Sequence, residues 1–133
     1  MVPTSFWKMV YLGLIATSVI PTLAIRTVAQ EVHVAQMTRL SEQEITQQIK
    51  SLPEWTLEGK ELRRTFQFKN FVEAIDFVNR LVEPAETAGH HPDLAISYNK
   101  VTVSLTTHDA GGLTQKDFDL AKTISQLAAS SSH

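Results

Sequence analysis

The sequence predicts an α+β domain in which a four-stranded antiparallel sheet carries three helices packed on one face. Apolar and polar residues alternate in two pairs of short segments, and a tight turn separates the members of each pair, which is typical of β-hairpins. In three other segments apolar residues recur at steps of three and four, the spacing of amphipathic helices. The order is helix, hairpin, helix, hairpin, helix. Because hairpins pair antiparallel strands, the helices are expected to lie together on one face.

A short helix begins the domain, and the first hairpin follows it. Ser41 and Glu44 have the spacing of a capping box, in which each side chain accepts from the other residue's backbone N–H. Pro53 ends the helix, since the residue before a proline disfavours helical geometry. Alternation then predicts strands at 55–57 and 62–68.

The second helix is the longest element, and it leads directly to a pair of histidines. Asn70 is its predicted cap, and its apolar positions form the stripe of a helix packed on a sheet. Pro84 is expected to bend its last turn. Gly89 is expected to end it.

The second hairpin and the third helix complete the domain. The predicted strands cover 94–98 and 101–106, with the turn at 99–100. After a glycine pair, Thr114 and Asp117 are spaced as a second capping box, and the third helix follows with one apolar side. The domain is therefore placed at residues 37–130, with a frayed tail at 131–133.

Charge and composition exclude several functions. The chain carries 12 Lys and Arg against 14 Asp and Glu, without a basic cluster. A nucleic-acid surface needs clustered positive charge, so nucleic acid is not expected as a partner. The chain has no cysteine, which excludes disulfides, a thiolate nucleophile and thiolate metal ligands.

Residues 1–36 are predicted to be a signal peptide, a leader or a mis-annotated extension. Lys8 precedes an apolar run at 9–25, and small residues surround a candidate cleavage position after Ala29, the layout of a secretory signal. The run is shorter than the roughly 20 residues of a membrane span. Three interpretations stay open: an exported, periplasmic or lumenal protein if the leader is cleaved, a membrane-anchored one if it is not, and a cytoplasmic one if translation starts at Met37.

Three of the five histidines lie where predicted elements end. His90 and His91 follow the second helix and His108 follows the last strand, so the outer ends of the hairpin bring them to one edge of the sheet. Imidazole exchanges protons near neutral pH, and Glu86 lies one helical turn before the pair. On the pattern alone, a polar loop without function and a three-histidine zinc site stay open, although the sequence lacks the HxH and HxxxH spacings that favour zinc.

The residues around the histidines resemble the signature of the pterin-4a-carbinolamine dehydratases. That signature is a charged residue, a His-His-Pro triplet, a spaced aromatic, a spaced histidine and a spaced aspartate, here Glu86, His90-His91-Pro92, Tyr98, His108 and Asp117. The similarity runs from about Leu40 to Ala129. The chain departs from animal members at Gly89, where they commonly carry Asp, and at Leu94 and Ala95, where they carry bulky aromatics.

The resemblance implies dehydration of 4a-hydroxytetrahydropterin, the product of aromatic amino acid hydroxylases, to quinonoid dihydropterin and water in tetrahydrobiopterin recycling. It implies no metal and no redox cofactor, with the pterin as substrate. His90 and His108 would form the acid/base pair, and His91 would bind and polarise the pterin. The expected substrate-binding residues are Glu86, Gly89, Pro92, Thr106, Thr107 and Asp109.

Two further expectations concern partners. The same fold resembles dimerisation cofactors of transcription factors and assembly factors of the carbon-fixing carboxylase, so a non-catalytic partner-binding module is the alternative to an enzyme; the complete histidine set favours the enzyme. A homodimer or homotetramer is expected, because one helical layer leaves a sheet face and two edges uncovered. The third helix, with Leu120, Ile124 and Leu127, is a second candidate surface.

Overall fold

The computed structural model describes residues 22–130, with side chains from Val28 onward. Its elements are, in order, α1 (Thr22–Met37), α2 (Glu42–Ile49), β1 (Thr56–Glu58), β2 (Glu61–Gln67), α3 (Phe71–Ala88), β3 (Asp93–Ser97), β4 (Lys100–Leu105), a 3₁₀ turn (His108–Ala110) and α4 (Gln115–Ala129). The strands form one sheet in the order β1-β2-β4-β3, and every neighbouring pair is antiparallel. The α+β class and the four-stranded antiparallel sheet are thus confirmed.

The core lies between the central strands and the helices. Leu62 of β2 pairs with Leu105 of β4, and Phe66 pairs with Val101, so these residues share one face of the sheet. All four are buried. The helices cover them with Ala74, Phe77 and Leu81 of α3 and Phe118, Ala121 and Ile124 of α4. Alternation along β2 therefore predicted its inward face correctly.

The starts of α2 and α3 follow the predicted caps, whereas α2 ends at Ile49 and not at Pro53 as predicted. The Ser41 side chain and Glu44 form the capping box of α2, and the Asn70 side chain accepts from the Glu73 N–H at the start of α3. α3 continues through Pro84 to Ala88 before Gly89 ends it. Local side-chain chemistry is enough to fix these boundaries.

The second hairpin turns one residue earlier than predicted. Ser97 pairs with Lys100, so Tyr98 and Asn99 form the turn, and the prediction of a turn at Asn99-Lys100 was wrong. Tyr98 has φ 53, a left-handed conformation that is uncommon for any residue but glycine. The physical reason for the shift is tertiary: Asn99 Nδ2 donates to the Phe68 carbonyl at 2.6 Å, which ties the turn to the end of β2.

A fourth helix precedes the three that were predicted. α1 begins inside the segment interpreted as a leader, continues through the candidate cleavage position after Ala29 and contacts α4. Residues 1–21, with most of the apolar run, lie outside the described residues, as does the predicted tail at 131–133. Along the described part of the chain, no helix is both long and apolar enough to cross a membrane.

Candidate active site

Two local features bring the histidines to one end of the sheet. Gly89 adopts a left-handed conformation with φ 54, and its N–H donates to carbonyls of the last turn of α3. The chain therefore turns back, and the His90 N–H donates to the Ala85 carbonyl at 3.1 Å. In the hairpin, Asp93 pairs with Ser104, so the start of β3 lies beside the end of β4, where His108 follows.

His90 is buried and is held by a buried carboxylate. Its Nε2 lies 2.6 Å from Asp117 Oδ1, and the side chains of His90 and Asp117 are 10% and 0% exposed. Asp117 is the third residue of α4, and its position follows from the capping box: Oδ2 accepts from the Thr114 N–H at 2.8 Å. The capping box at the start of α4 thus also places the Asp117 carboxylate next to His90.

The Asp117 carboxylate also reaches the segment that carries His108. The Thr107 hydroxyl donates to Asp117 Oδ2 at 2.8 Å, and the Thr107 and Thr114 hydroxyls lie 2.9 Å apart. All three side chains are buried. Since a buried carboxylate is costly unless it accepts hydrogen bonds, this set of donors is what allows Asp117 to lie in the core.

The other two histidines are open to solvent. His91 Nε2 lies 2.8 Å from Glu86 Oε1, with the two side chains 64% and 70% exposed. His108 Nε2 lies 3.8 Å from Asp93 Oδ2, and these side chains are also largely exposed. Glu86, which the sequence placed one helical turn before the histidine pair, therefore contacts the second histidine of that pair.

The predicted substrate-binding residues divide into three groups. Glu86 and Thr107 contact histidines or the carboxylate that holds one, as described above. Gly89 and Pro92 lie on either side of the pair, Gly89 as the cap of α3 and Pro92 half-buried before β3. The Thr106 hydroxyl instead donates to the Lys60 carbonyl at 2.9 Å, towards the first hairpin, and Asp109 is exposed in the 3₁₀ turn. Their roles in binding stay predictions.

Sequence reasoning did not predict that two acidic residues, Asp117 and Asp93, lie beside histidines of this site. Asp117 was part of the signature and of a predicted cap, but a contact with His90, 27 positions away, leaves no local trace. Asp93 lies near His108 only because of the hairpin register. The pairing of the predicted strands is the one signal that would have found Asp93.

A groove elsewhere on the domain is separate from the histidines. A groove of ≈ 800 Å³ lies between α3 and α4, lined by residues such as Arg80, Pro84 and Leu120, and none of the three histidines lines it. Among the residues that the structure describes, no group of three or more His, Asp or Glu side chains is arranged to hold a metal ion. The arrangement offers proton donors and acceptors around an open edge.

Comparison with known proteins places this geometry in a family. The sequence pattern described as "Pterin 4 alpha carbinolamine dehydratase" matches residues 38–127. The chain belongs to this family. The match runs from before α2 into the last turn of α4, and it therefore includes every residue of the histidine site.

Relatives and a solved structure agree with this membership. A protein of Picosynechococcus sp. is 68% identical over 68% of this chain and 98% of its own length, and one of Nostoc sp. is 69% identical over 66% of this chain and 95% of its own. Both carry the name pterin-4-alpha-carbinolamine dehydratase, assigned provisionally. A crystal structure titled transcriptional coactivator/pterin dehydratase, from Brucella melitensis, has a TM-score of 0.65 and 33% identity, over 68% of this chain and 99% of that one.

Proposed function

We propose that the chain dehydrates a 4a-hydroxytetrahydropterin to the quinonoid dihydropterin and water by histidine acid–base catalysis. The observation that carries the proposal is the buried pair of His90 and Asp117 beside the exposed His91 and His108, at one edge of the sheet. Membership of the family and the names of its relatives support the substrate class.

The reaction needs one proton delivered and one removed. The C4a–O bond breaks, and the leaving hydroxyl gains a proton and departs as water. The N5–H proton is removed, and its electron pair forms the C4a=N5 double bond. Atoms and charge balance without an oxidant or reductant, so two imidazoles in opposite protonation states are sufficient.

The two kinds of histidine environment suit these two tasks. Asp117 holds the His90 ring at the edge of the core, so the ring is kept in one orientation. His108 is exposed, so it exchanges protons freely with solvent between turnovers. His91, beside Glu86, is open to a flat ring and is assigned to pterin binding.

An activity measurement tests the proposal directly. The purified full chain is mixed with 4a-hydroxytetrahydropterin generated chemically, and formation of the quinonoid product is followed by absorbance. We expect dehydration well above the rate in buffer containing free imidazole at the concentration of the protein's histidines. A rate equal to that control refutes the enzyme and favours the non-catalytic partner-binding alternative.

We also propose that the chain binds a second copy of itself. Leu94 and Ile96 point from the edge strand β3 to the helical side of the sheet, yet they are 39% and 43% exposed. The other sheet face is polar, with Thr65 and Thr102 hydroxyls 2.9 Å apart. Pairing of two β3 edges would cover these apolar side chains and satisfy the unpaired strand.

The other expected surface is less suited to a partner. Leu120 and Ile124 of α4 are buried in the chain's own core, and only Leu127 on that side stays partly exposed. We therefore propose the β3 edge, and not α4, as the interface between two copies of the chain.

A further inference from the structure

We infer that Asp117 is a positioning residue that holds His90 in the tautomer with its proton on Nε2, so that His90 acts on the pterin through Nδ1 as the base. This inference rests on the proposed function and adds to it. It assigns one of the two proton transfers to a named atom and leaves the other, protonation of the leaving hydroxyl, to His108.

The hydrogen bonds around Asp117 define its protonation. Its Oδ2 accepts the Thr114 N–H and the Thr107 hydroxyl, both at 2.8 Å. The Thr114 hydroxyl also lies 3.4 Å from this oxygen, as a third donor, and 2.9 Å from Thr107 Oγ1. Several donors on one carboxylate favour its ionised form, which can only accept.

An ionised Asp117 fixes the tautomer of His90. Oδ1 lies 2.6 Å from Nε2, and since Oδ1 carries no proton, Nε2 must donate. A neutral His90 then has its lone pair on Nδ1. When Nδ1 takes the N5 proton of the substrate, the new positive charge lies beside the buried carboxylate, which stabilises the imidazolium.

Nδ1 has contact with solvent, as a base for an external substrate requires. Nε2 lies against an aspartate that is 0% exposed, and the ring is turned inwards on that side. Within the described residues, every fully buried side-chain nitrogen or oxygen has a hydrogen-bond partner. Nδ1 has no protein partner among the hydrogen bonds of His90, so it must be reached by solvent.

The same carboxylate connects the base to the acid. Thr107 precedes His108 directly, and its hydroxyl is fixed on Asp117. The backbone of Thr107 also closes the 3₁₀ turn, because its N–H donates to the Gly112 carbonyl at 3.1 Å. Asp117 therefore positions His90 directly and the His108 segment through one intermediary.

A second aspartate of α4 provides a matched control outside the histidine site. Asp119 lies two residues after Asp117, its side chain is 54% exposed, and its Oδ1 accepts from Gln115 Nε2 at 2.9 Å. Water competes for such exposed contacts, so they contribute little. Replacement of a carboxylate by an amide should therefore have a large effect at Asp117 and a small one at Asp119.

The experiment compares wild type, Asp117→Asn and Asp119→Asn as full chains labelled with ¹⁵N in the histidine rings. In Asp117→Asn, the amide oxygen keeps the Thr114 N–H, and the amide NH₂ then faces Nε2 and forces the proton to Nδ1. We expect an Nε2–H ring for His90 in wild type and Asp119→Asn, and an Nδ1–H ring in Asp117→Asn. Circular dichroism verifies that each variant is folded.

Kinetics of the same three proteins complete the test. With the wrong tautomer, kcat should fall by about 10²- to 10⁴-fold in Asp117→Asn with little change in KM. Asp119→Asn should keep kcat within a few-fold. A purely structural Asp117 would lower the folded fraction without changing the tautomer of the folded protein.

The possible results separate the inference from the proposed function. An Nδ1–H ring in wild type overturns the inference whatever the activity, and this measurement needs no variant. An Asp117→Asn protein with wild-type kcat also overturns it. A wild type with an Nε2–H ring but no dehydration refutes the proposed function, and the base role of Nδ1 with it, while the positioning by Asp117 is upheld.

Discussion

Helix α3 carries two phenylalanines whose surroundings differ. Because His90 lies just after the C-terminal cap of this helix, replacing each phenylalanine by alanine tests the packing of α3 on the sheet, which positions His90. Phe77 is 0% exposed, and its ring centroid lies 4.9 Å from those of Phe66 and Phe68. Phe71, on the same helix, is 50% exposed. Phe77→Ala removes a fully packed ring and should lower the free energy of unfolding by about 3–5 kcal/mol. Phe71→Ala should lower it by about 1 kcal/mol or less.

Equilibrium unfolding in urea, followed by far-UV circular dichroism, measures both values. A domain of this size has a free energy of unfolding of about 5–15 kcal/mol, so Phe77→Ala should remove a large share of that stability. The urea concentration at the midpoint of unfolding should therefore fall strongly. The slope of the transition should be similar in both variants. Equal midpoints for Phe71→Ala and Phe77→Ala would refute the packing of α3 on the sheet.

Three further predictions concern a cap, a pH response and a surface. Gly89→Ala should cost about 1–2 kcal/mol in thermal unfolding, because φ is 54 and an added Cβ meets nothing within 4 Å, so only backbone strain acts; an unchanged melting temperature would contradict this. The Ser41 N–H and hydroxyl lower the pKa of Glu44, so their stabilisation is present above the ordinary pKa of glutamate and is lost as pH falls through the lowered one. Glu44→Gln, which removes the titrating carboxylate, should therefore flatten the acid-side loss of melting temperature, and superimposable curves would argue against it. Ile96→Lys should reduce the mass measured by light scattering to that of a monomer, whereas Ala95→Lys on the opposite face should not; an unchanged mass in Ile96→Lys would exclude the β3 edge as the interface.

Local patterns predicted most of this fold. The alternation in β2 and the capping spacings at Ser41 and Thr114 depend on neighbours in sequence, and the structure confirms them. The hairpin at Gly59 has strands within one residue of those expected. Such features can be read from one sequence because their physical causes act over a few residues.

The parts that could not be predicted depend on contacts far apart in sequence. The turn at Tyr98 is displaced by a hydrogen bond between Asn99 and Phe68, 31 positions apart. The contact of His90 with Asp117 joins the ends of two helices, and only the folded chain brings them together. α1 is a further case, since its sequence is typical of a leader and its helix contacts α4.

The most direct test of acid–base catalysis is the dehydration rate of three single variants of the full chain, measured at saturating and at low 4a-hydroxytetrahydropterin. His90→Ala and His108→Ala should each lower kcat by about 10²-fold or more, because each removes a proton-transfer group. His91→Ala should mainly raise KM, because its exposed ring is assigned to binding. Wild-type rates in all three variants would contradict the account.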